Sequence, residues 1–73
     1  MRNGGTLRRL REALGLTQAG FASAVGEGLH QPTVSDVERG LARLTGAQAY
    51  RIAEVYRDAM DRLGLRLEDL LRP

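Results

Sequence analysis

Eleven arginines, one histidine and nine carboxylates, with no cysteine and no lysine, hold whatever chemistry this 73-residue chain can perform. His30 has no acid or nucleophile beside it in a recognisable catalytic pattern, and the chain spells neither a glycine-rich phosphate loop nor an identifiable pair of catalytic acids. The lack of cysteine excludes thiolate nucleophiles, cysteine-type zinc sites and iron–sulfur ligation. No enzymatic activity, cofactor or metal is therefore expected. What remains is guanidinium chemistry, since the planar fork grips phosphate oxygens and base edges in two-point geometry. The net charge of +2 is a modest attraction for polyanions. Its distribution says more: Arg2, Arg8, Arg9 and Arg11 oppose only Glu12 in residues 1–26, whereas Glu27, Asp36 and Glu38 outnumber Arg39 and Arg43 in residues 27–43. From residue 44 onward the charges balance. Any anion-facing surface must then involve the first helix.

The elements that hold these side chains are helices punctuated by glycine. Leu7, Leu10, Ala13 and Leu14 recur at helical spacing, Thr6 is placed to cap their helix and Gly15 to stop it. Thr17 opens a second helix with Phe21, Ala22 and Val25 inward and Gly26 as its breaker. Glu27-Gly28-Leu29-His30 reads as a turn, and Pro32 suits a helix's first turn, where its missing N–H has no partner to lose. Val34 and Val37 form the buried side of this third helix, which Gly40 ends. Thr45-Gly46-Ala47-Gln48 spells a capping box, with Leu44 and Ala49 as its hydrophobic staple. The apolar set Ala49, Ile52, Ala53, Tyr56, Met60 and Leu63 then predicts one helix over 45–63, closed by Gly64. Leu67, Leu70 and Leu71 predict a last short amphipathic turn or two. No segment alternates at period two, so the expected class is all-α, with five helices in one domain over residues 6–73 behind a fraying arm of residues 1–5. No apolar run approaches the roughly 18 residues that a membrane span needs, and no secretory leader opens the chain. A cytoplasmic, bacterial or phage-encoded protein is expected.

Helices two and three are each too short to be stable alone and are joined by a tight glycine-containing turn, over about 17–40, which resembles a helix-turn-helix. The likeness becomes specific in Leu14-Gly15-Leu16-Thr17-Gln18, Phe21-Ala22 and Val25-Gly26, and continues through Gln31-Pro32-Thr33-Val34-Ser35-Asp36-Val37-Glu38-Arg39-Gly40. These stretches, with Gly64-Leu65-Arg66-Leu67-Glu68-Asp69-Leu70-Leu71, resemble the phage repressor and Cro family, also called the xenobiotic-response-element family. The resemblance covers roughly residues 6–71 and implies a five-helix lambda-repressor-like fold. Three features depart from the family pattern. Glu27-Gly28 is inserted after Gly26, which is expected to tilt or displace the third helix. His30 stands where Ser or Thr usually caps that helix, which puts Gln31 forward as the cap. Helix four runs about two turns longer than usual, room for a partner surface.

The resemblance implies that Gln31, Pro32, Thr33, Ser35 and Asp36 face the major groove, where Gln can bond two-point to adenine, Asp can accept from cytosine and the Thr methyl can touch thymine. It places Thr17, Gln18, His30, Arg39 and Arg43 against backbone phosphates, with Arg8, Arg9 and an Arg2 reaching from the arm as weaker candidates. It gives Arg11 and Glu38 a different role, a partly buried ion pair tying the first helix to the third. Tyr50 and Val55 lie off the buried stripe of helix four and, with Leu65, Leu67 and Leu71, suggest a homodimer surface. The function implied is a sequence-specific regulator of transcription, a stand-alone Cro-type repressor that binds a palindromic operator in double-stranded DNA as a dimer. The alternative is a protein-interaction module of antitoxin-like or antirepressor-bound type, for which the low net charge, Asp36 and the insertion speak.

Overall fold

The computed structural model describes residues 3–72, and every regular element among them is an α-helix: α1 (Asn3–Ala13), α2 (Gln18–Val25), α3 (Gln31–Glu38), α4 (Gly46–Val55), α5 (Arg57–Leu63) and α6 (Leu67–Leu71). None of these helices is long and apolar enough to cross a membrane. The inward stripes converge on one core, in which Leu7 and Leu10 of α1, Phe21 of α2, Val34 of α3, Ile52 of α4 and Leu70 of α6 are fully buried. α3 packs between α1 and α2, while α4 and α6 close the opposite side. The eight-residue α2 and α3 lie below the length at which isolated helices hold. Their orientation is therefore a property of the core and not of local propensity.

Several boundaries differ from those the sequence predicts. Asn3, Gly4 and Gly5 form the first turn of α1 and do not precede it, and Thr6, buried within that helix, caps nothing. Met1 and Arg2, with the proposed groove contact of Arg2, lie outside the described residues. Ala13 is exposed where the periodicity had placed it inward. The predicted single helix over 45–63 is two helices, so the chain has six among its described residues and the extra length is a separate α5. The break is at Tyr56, whose φ of −114° and ψ of 32° leave the helical range. This residue is tied elsewhere: its ring stacks on Phe21 at 4.7 Å and its hydroxyl donates to the Phe21 carbonyl at 3.1 Å. Thr45 and Gln48, by contrast, form the capping box in both directions.

The inserted residues make a self-contained turn. Leu29 N–H donates to the Gly26 carbonyl at 2.9 Å, and the two central residues, Glu27 and Gly28, have φ of 56° and 72°. Two positive φ angles in succession are the pattern of a type I′ turn. α4 braces it, with Gln48 Nε2 donating to the Glu27 carbonyl and Arg51 Nε to the Val25 carbonyl, each at 3.3 Å. Leu29 is thereby returned to the core, 3% exposed.

Candidate nucleic-acid interface

Burial of Val34 and Val37 fixes which side of α3 is left outside. Gln31 and Pro32 are exposed on it, and Thr33, Ser35 and Asp36 are half-buried. The helix starts at Gln31, so His30 is its N-cap residue and Gln31 is not. The exposed imidazole makes no capping bond, and Pro32 in the first turn asks for none at its own nitrogen. At α2, Thr17 is the N-cap and its hydroxyl accepts from Gly20 N–H at 3.0 Å. The first amides of such a helix have no intrahelical partner and form, with the helix dipole, a weak anion seat.

Gln18 and Gln31 meet at the junction of the two helices. Gln31 Nε2 donates to Gln18 Oε1 at 2.7 Å, and Gln18 Nε2 donates to Glu38 Oε1 at 3.2 Å. Gln18 is therefore no free phosphate ligand: its side chain is the middle link of a chain from the surface to a buried carboxylate.

Glu38 is the anchor of that chain. Its side chain has no exposure, and Arg11 binds it two-point, Nε to Oε2 at 2.6 Å and Nη2 to Oε1 at 3.0 Å. Arg11 spends its third contact on the Leu16 carbonyl at 3.0 Å, which ties the α1–α2 loop to the same hub. Arg8 adds Nε to Oε1 at 3.3 Å. Burial pushes the Glu38 carboxyl upward, but the bonds from Arg11 and Gln18 and the Arg11 charge outweigh it and hold the group below its ordinary range. The bond to Glu38 raises Arg11 in turn, against the opposing effect of burial. Both partners are charged at neutral pH. The roles of Arg8 and Gln18 at this hub are invisible to spacing rules, because their partner lies 30 and 20 residues away.

The remaining basic candidates differ in their freedom. Arg39 caps the end of α3, and its Nη2 pairs with Asp36 Oδ1 at 3.0 Å across one turn of exposed helix. Each of these two is thus partly neutralised by the other. Arg43 stands exposed in the loop after α3, close in sequence to Leu41, which at 68% exposure is the most open large apolar side chain among the described residues. Periodicity had not singled out Leu41.

The apolar candidates other than Leu71 line two neighbouring clefts that share Glu54 and Arg57 as walls. Tyr50, Leu65 and Leu67 line a cleft of about 380 Å³ with Met60, Arg57 and Asp61. Val55 lines the other cleft, beside Leu14 and Arg62. Tyr50 and Leu71 are exposed, whereas Val55, Leu65 and Leu67 are half-buried against the core. Among the described residues no three His, Asp or Glu side chains converge to hold a metal ion.

A family model described as helix-turn-helix matches residues 7–57, which run from within α1 through α4 to the first residue of α5. No curated protein and no solved structure matches the chain.

Proposed function

Because the chain belongs to the helix-turn-helix family of the repressor and Cro type, a family of DNA-binding regulators, we propose that it is a Cro-type repressor that occupies a palindromic operator as a homodimer. The observation that carries this reading is the position of the Gln18–Gln31 pair, at the edge shared by α2 and α3, beside an outer face of α3 that the chain's own atoms leave open. Gln31, Pro32, Thr33, Ser35 and Asp36 are the base-facing set. Thr17, Gln18, His30, Arg39 and Arg43 flank it as phosphate contacts, Thr17 and Gln18 chiefly through the amides that open α2. Repression follows from occupying a promoter and requires no bond to be made or broken.

A two-fold dimer would set its recognition helices about 34 Å apart, in successive major grooves. The Tyr50 cleft on α4–α6 supports the pairing of subunits, with Leu41 a further exposed apolar group. A second reading, a module that binds protein through the outer face of α3, draws on the Asp36–Arg39 pair, which removes positive charge from the face that DNA would meet. Selection from a random duplex pool, with a salt titration by fluorescence anisotropy, separates the two. A repressor yields an enriched inverted repeat and an affinity that falls steeply with salt as phosphate counterions are released. An unenriched pool with salt-independent binding would overturn the reading in favour of the second.

A further inference from the structure

Leu41 is open to solvent although its backbone is firmly tied. The end of α3 is a Schellman motif: Gly40, at φ 77°, donates its N–H to the Val37 carbonyl at 3.0 Å, and Leu41 N–H donates to the Asp36 carbonyl at 2.8 Å. A side chain in the place of Leu41 commonly packs on an apolar residue of the helix's last turns. Here the two residues it could reach are Asp36 and Ser35, so its own helix offers no apolar cover. Leu41 also stands outside the core cluster. All of residues 39–43 are exposed, between the buried Glu38 and the buried Leu44. They read Arg39-Gly40-Leu41-Ala42-Arg43, one apolar group with a cation two residues to either side.

A partner for this loop must offer apolar surface with negative charge on both flanks. A DNA strand has that composition, because each deoxyribose lies between two phosphates. A second copy of the same loop, met across a two-fold axis, would set arginine against arginine. The loop also continues the outer face of α3, since the Leu41 amide is bonded to Asp36 on that face. We infer that Leu41 packs on a deoxyribose of the DNA strand whose flanking phosphates are held by Arg39 and Arg43, and so adds an apolar contact that selects DNA over RNA at that sugar. The inference rests on the DNA-binding reading of α3 proposed above. The 2′ carbon carries a hydroxyl in RNA and none in DNA. A hydroxyl pressed against Leu41 would lose its water and gain no partner. Asp36 shares Arg39 in the free protein, which leaves Arg43 the stronger phosphate ligand of the two. Apolar burial releases no counterions, so the contribution of Leu41 is independent of salt where that of Arg43 is not.

Fluorescence anisotropy with the duplex selected by the wild-type protein, repeated over a range of salt concentrations, tests the contact. Leu41→Ala alters an exposed site and should melt with the wild type. Its affinity should fall about 5- to 30-fold, the worth of burying the exposed two-thirds of a leucine, at an unchanged salt slope, whereas Arg43→Ala should lower the slope. Single ribonucleotides placed in turn along each strand of the half-site then locate the sugar. The wild-type protein should lose affinity at one of them, and Leu41→Ala should tolerate ribose there. Comparing the two proteins on the same duplex cancels any effect of ribose on DNA shape. Wild-type affinity in Leu41→Ala, a lowered salt slope in that variant, or ribose scans that coincide for the two proteins would overturn the inference while leaving the operator reading intact. A loss of affinity accompanied by a shift of sedimentation toward monomer would also overturn it, and would make a second copy the partner of Leu41. If the wild-type protein enriches no duplex, the reading of α3 fails and the inference fails with it.

Discussion

Replacing Arg11 by alanine strands the Glu38 carboxylate, which has no exposed side-chain surface. Breaking a buried pair from one side costs about 3–5 kcal/mol. The low end applies here, because Arg8 and Gln18 still donate to Glu38 at 3.3 and 3.2 Å. A domain of this length has a total stability on the order of 4–11 kcal/mol, so a loss of roughly 3 kcal/mol is a large share of it. It corresponds to a fall in Tm of about 12–24 °C for a domain of this size. Arg9→Ala, at an exposed position on the same helix, should change stability by no more than about 0.5 kcal/mol. Arg8→Ala alone should cost under about 1 kcal/mol, since Arg8 is half-exposed and its pair is solvent-screened. The double variant should lose more than the sum, because each arginine is the other's substitute at one carboxylate. Acid dependence supplies an independent arm. The folded-state pKa of Glu38 is depressed, so its contribution is fully present above its unfolded value of about 4.3 and is lost as pH falls through the lower folded value. Glu38→Gln should therefore flatten the acid limb of a Tm-versus-pH curve. Equal melting shifts for Arg11→Ala and Arg9→Ala, or an unchanged acid limb in Glu38→Gln, would refute the reasoning.

Tyr56→Phe keeps the ring stack on Phe21 but removes the hydroxyl bond to a carbonyl that α2 still engages; a loss of about 0.5–1.5 kcal/mol is expected in urea unfolding. Glu27 sits at φ 56°, so Glu27→Gly should relieve about 1 kcal/mol of left-handed strain, read as a Tm a few degrees higher, whereas Glu27→Val should lower it. Asp36→Ala releases Arg39 from its partner and should tighten binding to random duplex with a steeper salt slope, while Arg43→Ala should reduce that slope by about one. Tyr50→Glu, at a 60% exposed site, should shift sedimentation toward monomer and make the melting temperature less dependent on protein concentration; an unchanged distribution would remove the Tyr50 cleft from the dimer reading.

The parts of the fold that one-dimensional patterns reached are those in which side-chain period and cap chemistry agree. α2 and α4 are examples, each opened by a threonine cap and carried by apolar residues at helical spacing. The break at Tyr56 had no such signal. Neither glycine nor proline stands there, and the cause is a ring and a hydroxyl engaged with Phe21, 35 residues earlier. The candidate interface divides in the same way. The exposed side of α3 follows from burying Val34 and Val37, a local inference. That Gln18 bonds Gln31 and Glu38, and that Asp36 takes up Arg39, depends on how rotamers fall once helices are docked. Residue type alone does not decide it.

The inserted Glu27-Gly28 was expected to tilt or displace α3, and its geometry argues for a smaller effect. A β-turn brings its first and last Cα atoms within about 7 Å, and directly bonded residues are about 3.8 Å apart. Excising the two residues would therefore ask the Gly26 and Leu29 ends to close by roughly 3 Å, a distance that the loop on either side of Leu29 can absorb. The energetic consequence has two opposed parts. Left-handed strain at Glu27 disappears, a gain of about 1 kcal/mol. Gln48, 8% exposed, loses the carbonyl to which its Nε2 donates, and a buried donor without a partner costs about 1–3 kcal/mol. The deletion variant should thus fold, melt from about 0 to 16 °C lower, and retain the Gln18–Gln31 bond and its base preference. Adding Gln48→Leu to the deletion should recover part of the loss by removing the orphaned amide, although the capping-box bond that Thr45 N–H donates to Gln48 Oε1 goes with it. An unfolded deletion variant, or a folded one with altered base preference, would mean that the turn positions α3 and is no mere outward loop.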